Sequence, residues 1–207
     1  PGHGLLAVVP DEAVGFERVW AQPLSPLHGV LRSPTFRDAI ADWGDVVLWD
    51  AAPAATIEEG GRAVPVFPLL AVLKEGDERR FRFLALEQEE GQVAALGARL
   101  PEGVVLYAHG ARVEQVCARC AAGEVLTKHE HEAPTEHRVA FGKLLVPGDR
   151  DLAEVRAALE AAQREAPGVL LAAPGLYEAL GLTSQAGKAH KTWGVIERGA
   201  LLPARAR

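Results

Sequence analysis

The order of apolar and polar positions along the 207 residues predicts short strands interspersed with amphipathic helices. Leu5 to Val9 reads as a strand, and Pro23 to Pro26 as a breaker cluster. Ser33-Pro34 has the form of an N-cap followed by proline at the first helical position, where its missing N–H costs nothing. Phe36, Ala39, Ile40 and Trp43 then recur at helical spacing, and Gly44 ends the predicted helix. Asp45 to Asp50 is an apolar run between acids, a buried strand, and Ala51 to Gly61 reads as a loop. Val64 to Leu73 and Arg79 to Leu86 read as the strands of a hairpin joined by Glu75-Gly76-Asp77-Glu78. In the second of them Phe81, Phe83 and Ala85 share one face, with Arg80 and Arg82 on the other, as in an antiparallel sheet with one wet side.

In the second half, Gln88 to Leu100 predicts a helix weakened by Gly91 and Gly97, and Gly103 to Ala108 a strand. His137 to Val146 predicts a further strand. Asp151 to Ala166 is the best-marked helix. Asp151 and Glu154 resemble a capping box, Leu152, Val155, Leu159 and Ala162 form the buried stripe, and Glu160 with Arg164 is a favourable pair one turn apart. Val169 to Ala173 (strand), Leu176 to Leu180 (short helix) and Thr192 to Glu197 (strand) complete the prediction, and 200–207 is expected to fray. The fold class is therefore α+β (mixed α/β), with a mainly antiparallel or mixed sheet and about four helices. Gly29-Val30-Leu31 with Pro34, and Gly168-Val169-Leu170 with Pro174, each precede a predicted helix and a strand bearing Trp49 or Trp193. That echo suggests a duplicated strand–helix–strand unit, although generic α/β patterning accounts for it better. No stretch is long enough to read as a linker, so residues 1–207 are expected to form a single globular domain.

Composition narrows the function classes. A hydrophobic share of 48% against 24% charged excludes wholesale disorder. No run reaches the length of a membrane span, and Pro1-Gly2-His3-Gly4 lacks the basic start of a secretory signal. Only two cysteines occur, so a cytoplasmic location is the default expectation. The net charge of −6 opposes nucleic-acid binding and suits a basic protein partner. Lys188, His190, Lys191, Arg198, Arg205 and Arg207 make the C-terminal stretch basic, which reads as a solvated face and tail. The four tryptophans read as core or groove residues.

The segment that could carry chemistry is a knuckle-like insertion at 113–137, holding Cys117-Ala-Arg-Cys120, His129-Glu-His131 and His137. Thiolate and imidazole are the donors tetrahedral zinc prefers, and C-x-x-C sets two sulfurs on one turn. His129 and His131 would point to one side of an extended chain. Two thiolates with two of the three histidines would close a structural Zn²⁺ site, although the spacing is not that of a standard finger. The plain alternative is a polar loop with two reduced thiols. A thioredoxin-like use of the C-x-x-C needs a strand before it, which residues 112–115 do not clearly supply. Gly181 to Lys188 misses a phosphate-binding loop by one residue and by Ala189 where Ser or Thr should stand.

Gly123, His129-x-His131, Glu136 and Gly142 together resemble the first metal motif of the cupin family. The resemblance covers about twenty residues and implies a catalytic metal held by His129, His131 and Glu136 inside a small β-barrel. The last glycine comes one position early, and the family's second motif is missing.

Two functions follow as expectations. One is a non-catalytic protein-binding domain (inhibitor, immunity-type or adaptor) with a structural zinc. The alternative is a metal-dependent enzyme with a cupin-like site acting on a small molecule, with water on the metal as the reactive group.

Overall fold

The computed structural model describes residues 5–9, 17–36, 39–130, 134–166 and 168–198. The fold is α+β with mainly antiparallel sheets, as the sequence predicts, and it divides into two compact units, Pro1–Glu78 and Arg79–Arg207.

Among the described residues the regular elements of the first unit are strands: β1 (Leu5–Val9), β2 (Glu17–Pro23), β3 (His28–Leu31), β4 (Val46–Trp49), β5 (Ala55–Glu59) and β6 (Arg62–Lys74). The sheet order is β1-β2-β3-β4-β6-β5. β1 also pairs in parallel with β6, Leu6 opposite Val66, so five of the strands close into a ring. Closure pairs β1 on both sides and leaves β5, beside β6, as the terminal strand of the sheet. Val19, Ala21, Leu31, Val47 and Trp49 fill its interior. The predicted loop at 51–61 instead holds β5, which returns into β6 through Gly60-Gly61. Both glycines have positive φ, 56° and 75°, as the tightest hairpin turn requires.

The helix predicted from Ser33 to Gly44 does not form among its described residues. Polar side chains satisfy the backbone there instead. Ser33 Oγ accepts from Trp20 N at 2.7 Å, Asp42 Oδ1 accepts from Thr35 N at 2.9 Å, and Asp45 Oδ2 accepts from Asp42 N at 2.8 Å. Such local bonds compete with helix formation. Ile40, placed on the apolar face of the predicted helix, is 64% exposed.

The second unit is built from β7 (Arg79–Glu87), α1 (Gln92–Gly97), β8 (Val105–Cys117), α2 (Ala118–Ala121), β9 (Pro134–Val146), α3 (Leu152–Glu165), β10 (Val169–Ala172), α4 (Pro174–Ala179) and α5 (Thr183–Arg198). Its antiparallel sheet has the order β10-β7-β9-β8. The predicted hairpin of 64–73 with 79–86 is thus overturned, because β6 and β7 lie in different sheets and residues 75–78 join the two units. That connection has only four residues, which is why no linker composition marks it.

β7 and β9 are the central strands, packed on one face by helices α1, α3 and α4 and over part of the other by α5. Phe81, Phe83, Ala85, Ala140 and Leu144 pack with α1, α3 and α4 through Leu96, Val155, Leu159 and Leu176. Leu84, Leu86 and Val139 pack on the opposite face with Ile196 and Trp193 of α5. The wet side expected of β7 is therefore covered along half its length. α3 carries the predicted stripe, all four residues buried, and Asp151 caps it by accepting from Ala153 N at 2.8 Å. Glu160 meets Arg156 at 3.6 Å, one turn before it.

The strand predicted at Thr192–Glu197 is the last part of α5. Ala186, Ala189, Thr192 and Ile196 are buried at helical spacing, a stripe visible only over a window longer than six residues. With no helix among the described residues of 33–44 and Trp193 on a helix, the described residues do not form a duplicated strand–helix–strand unit. The tail 200–207 and residue 131 lie outside the described residues.

Candidate metal centre

β8 and β9 run past the end of β7 as a two-stranded ribbon, since β7 pairing ends at Glu87–Arg138 while β8–β9 pairing continues to Cys117–Pro134. Cys117 closes β8 and occupies the cap position of the single-turn α2, and Cys120 lies within that turn. Gly123, with φ 95°, reverses the chain into a 3₁₀ turn at Glu124–Leu126, and Thr127 resumes an extended path that brings His129 back. Arg119 Nε donates to Glu124 Oε2 at 2.9 Å and Thr127 Oγ1 to the Glu124 carbonyl at 2.9 Å, tying these turns together.

Three donor atoms converge: Cys117 Sγ, Cys120 Sγ and a His129 ring nitrogen lie within 4.8 Å of one another. His129 Nε2 is 3.7 Å from Cys117 Sγ and 3.3 Å from Cys120 Sγ. Tetrahedral zinc, with metal–sulfur and metal–nitrogen bonds of ~2.3 and ~2.0 Å, holds sulfur and nitrogen about 3.5 Å apart. The two separations bracket that value. His129 Nδ1 donates to the Thr127 carbonyl at 3.0 Å. Its proton is thus on Nδ1, and the Nε2 lone pair faces the sulfurs, the orientation that a ligating histidine takes from its outer partner.

Both sulfurs sit in the apolar layer with Val116, Val139 and Ile196, and each cysteine is only 2% exposed. Burial, with the neighbouring Cys117 adding to it, pushes the Cys120 thiol up to about 11. The hydrogen bond to Cys117, followed by that to the Thr127 carbonyl, raises His129 above its ordinary value. β8 does supply a strand before the C-x-x-C, contrary to the sequence reading. What disfavours a redox thiolate is the environment, because a reactive cysteine needs an exposed, electropositive setting that lowers its pKa.

Among the described residues His137, the other predicted histidine, does not join this group. His137 stands on β9 opposite Glu114, with Nε2 2.8 Å from Thr135 Oγ1. Its strand position carries it away from the turn that holds the sulfurs. His131 lies outside the described residues. Glu136 accepts from Gln115 Nε2 at 3.2 Å and joins no cluster with His129 among the described residues. The cupin-like triad includes His131, outside the described residues, and the sheet that carries Glu136 is open and flanked by helices, not a small β-barrel. Thr127, which orients the imidazole, was missed by sequence reasoning because a main-chain carbonyl leaves no signal in residue type.

No family model matches the chain, and no curated protein matches it. Among solved structures it is similar to a hypothetical protein from Neisseria gonorrhoeae, with 10% identity and a TM-score of 0.33, across 83% of this chain and 92% of that one.

Proposed function

We propose that the chain is a non-catalytic protein-binding protein whose second unit is held by a structural Zn²⁺ on Cys117, Cys120 and His129. The metal half of this reading is carried by the two sulfur–nitrogen separations around one buried point. Burial of both sulfurs in the apolar layer favours an enclosed ion, and a closed structural site would add a fourth protein donor to these three, since three protein ligands with an open position is the catalytic pattern. The ion would staple the β8–β9 connection, which has little core of its own beyond Val125 and Ala121. Cys117 and Cys120 are thiols outside any disulfide, and a reducing compartment such as the cytoplasm would keep them available as ligands. No helix among the described residues is long and apolar enough to cross a membrane.

The binding half rests on the first unit. Residues 1–78 hold 12 acidic against 5 basic residues, a net charge of −7, whereas 79–207 come to +1. Leu70 and Leu73 are the extra residues at the two β4–β6 register shifts, and they stand 57% and 54% exposed. Bulges re-aim side chains, and here they turn two leucines outward from an acidic unit. A basic partner with an apolar contact would match both features.

Elemental analysis of protein purified without added metal should find about one zinc per chain. No zinc, with both thiols freely titratable, would dismiss the site. Capture from host cells should yield a basic partner, lost at high salt and in the double variant Leu70→Asp, Leu73→Asp. Unchanged capture by that variant would dismiss the binding surface.

A further inference from the structure

The two edges of the second sheet differ. β10 is four residues long, a length that discourages further pairing, whereas β8 offers thirteen. A bulge interrupts β8 between Ala108 and Gly110, beyond which its pairing with β9 runs without a break to Cys117. In the middle of that stretch Val113 is 67% exposed, the highest value for a large apolar side chain among the described residues. It is flanked by Arg112 and Glu114, whose side chains meet at 2.6 Å on the opposite face of the strand.

This order of residues is complementary to itself. In an antiparallel pair of identical strands centred on Val113, Val113 faces its own copy. Arg112 then stands opposite Glu114 of the second copy, and Glu114 opposite its Arg112. The four charges alternate around a rectangle on one face, while the two valines cover each other on the other face. Cross-strand opposite charges and paired β-branched residues are the contacts that stabilise neighbouring strands. A twofold axis produces this self-matched arrangement, because an isologous interface repeats each contact.

We propose that β8 is a self-association edge, at which two copies of this chain join their four-stranded sheets into one of eight strands about a twofold axis at Val113. β8 ends the sheet order, so its outer main-chain groups around Val113 would supply the hydrogen bonds, and the Arg112–Glu114 order fixes the register. The inference stands independently of zinc and of any partner of the first unit.

The test is sedimentation of the full, zinc-replete chain over concentrations up to roughly 0.5 mM, which reaches the weak end of specific association. A concentration-dependent dimer is expected. Arg112→Glu should weaken it at least tenfold by setting acid against acid, and Glu114→Arg should do the same by setting base against base. The double swap Arg112→Glu, Glu114→Arg should restore it, because the twofold pairing is then complementary again. Val113→Cys should form a disulfide-linked dimer on mild oxidation, since opposed Cα atoms in such a pair lie only about 4.5–5.5 Å apart. A monomer across the whole range, or a dimer indifferent to either single charge reversal, would overturn the proposal. Circular dichroism of each variant separates loss of association from loss of folding.

Discussion

Chelation of zinc from the folded chain is expected to lower the stability of residues 79–207 by about 4 kcal/mol, when free zinc had stood near a thousandfold its dissociation constant. The ion binds the native arrangement and not the unfolded chain, so its binding energy is folding energy. Cys117→Ser and Cys120→Ser should show the same loss without chelator and respond little when it is added. Urea midpoints followed by far-ultraviolet circular dichroism measure all three. Equal midpoints for native, chelated and substituted protein would remove metal from the account.

The pH dependence has a definite sign. Zinc displaces the Cys120 proton, which the buried thiol holds up to about pH 11 in the metal-free chain. Apparent affinity should therefore rise about tenfold per pH unit through neutrality from this group alone. His129, raised above its usual value, adds a second proton to displace at the acid end. Metal-derived stability is thus lost as pH falls. The metal-free chain behaves in the opposite way. Its raised thiol pKa favours the folded state below the ordinary value of 9.0, and that contribution disappears as pH rises through about 11. Competition with a chromophoric chelator at pH 6 and pH 8 checks the first claim, and alkaline melts of chelated protein check the second.

Trp49→Ala is expected to cost the first unit about 3–5 kcal/mol, the range for deleting a large buried aromatic. Trp49 is 1% exposed, and its Nε1 donates to the Pro26 carbonyl at 3.0 Å. Gly29 on the adjacent strand leaves the space for its ring, since a Cβ there would come within 2.8 Å of the indole. The truncation leaves both a cavity and an unmet carbonyl. Zinc content should not change, because none of these contacts belongs to the metal centre. A loss under 1 kcal/mol would mean that the ring of strands does not close around this residue.

Strands with strong alternation and the helix with a full stripe were legible. β7 and α3 occupy nearly their predicted spans because each pattern repeats over at least eight residues. Shorter signals were ambiguous. The Ser33-Pro34 start had every local mark of a helix and lost to Asp42 and Asp45, whose partners lie up to 31 residues away at Gly76. Thr192–Glu197 looked like a strand because β-branched Thr192, Val195 and Ile196 crowd six positions. The buried side of α5 is set by the sheet it covers.

For the candidate metal centre, residue types were enough to pick the pool of Cys117, Cys120, His129, His131 and His137, because few side chains bind zinc and a C-x-x-C turn constrains its own geometry. Choosing among the histidines was beyond the sequence. His137 is as near to the cysteines along the chain as many true ligands, and only the register of β9 against β8 turns it to Thr135. The split into two units was hidden for a similar reason. Pairing partners are chosen by the burial of whole faces, a property of the assembled sheets, whereas periodicity records only that a face exists.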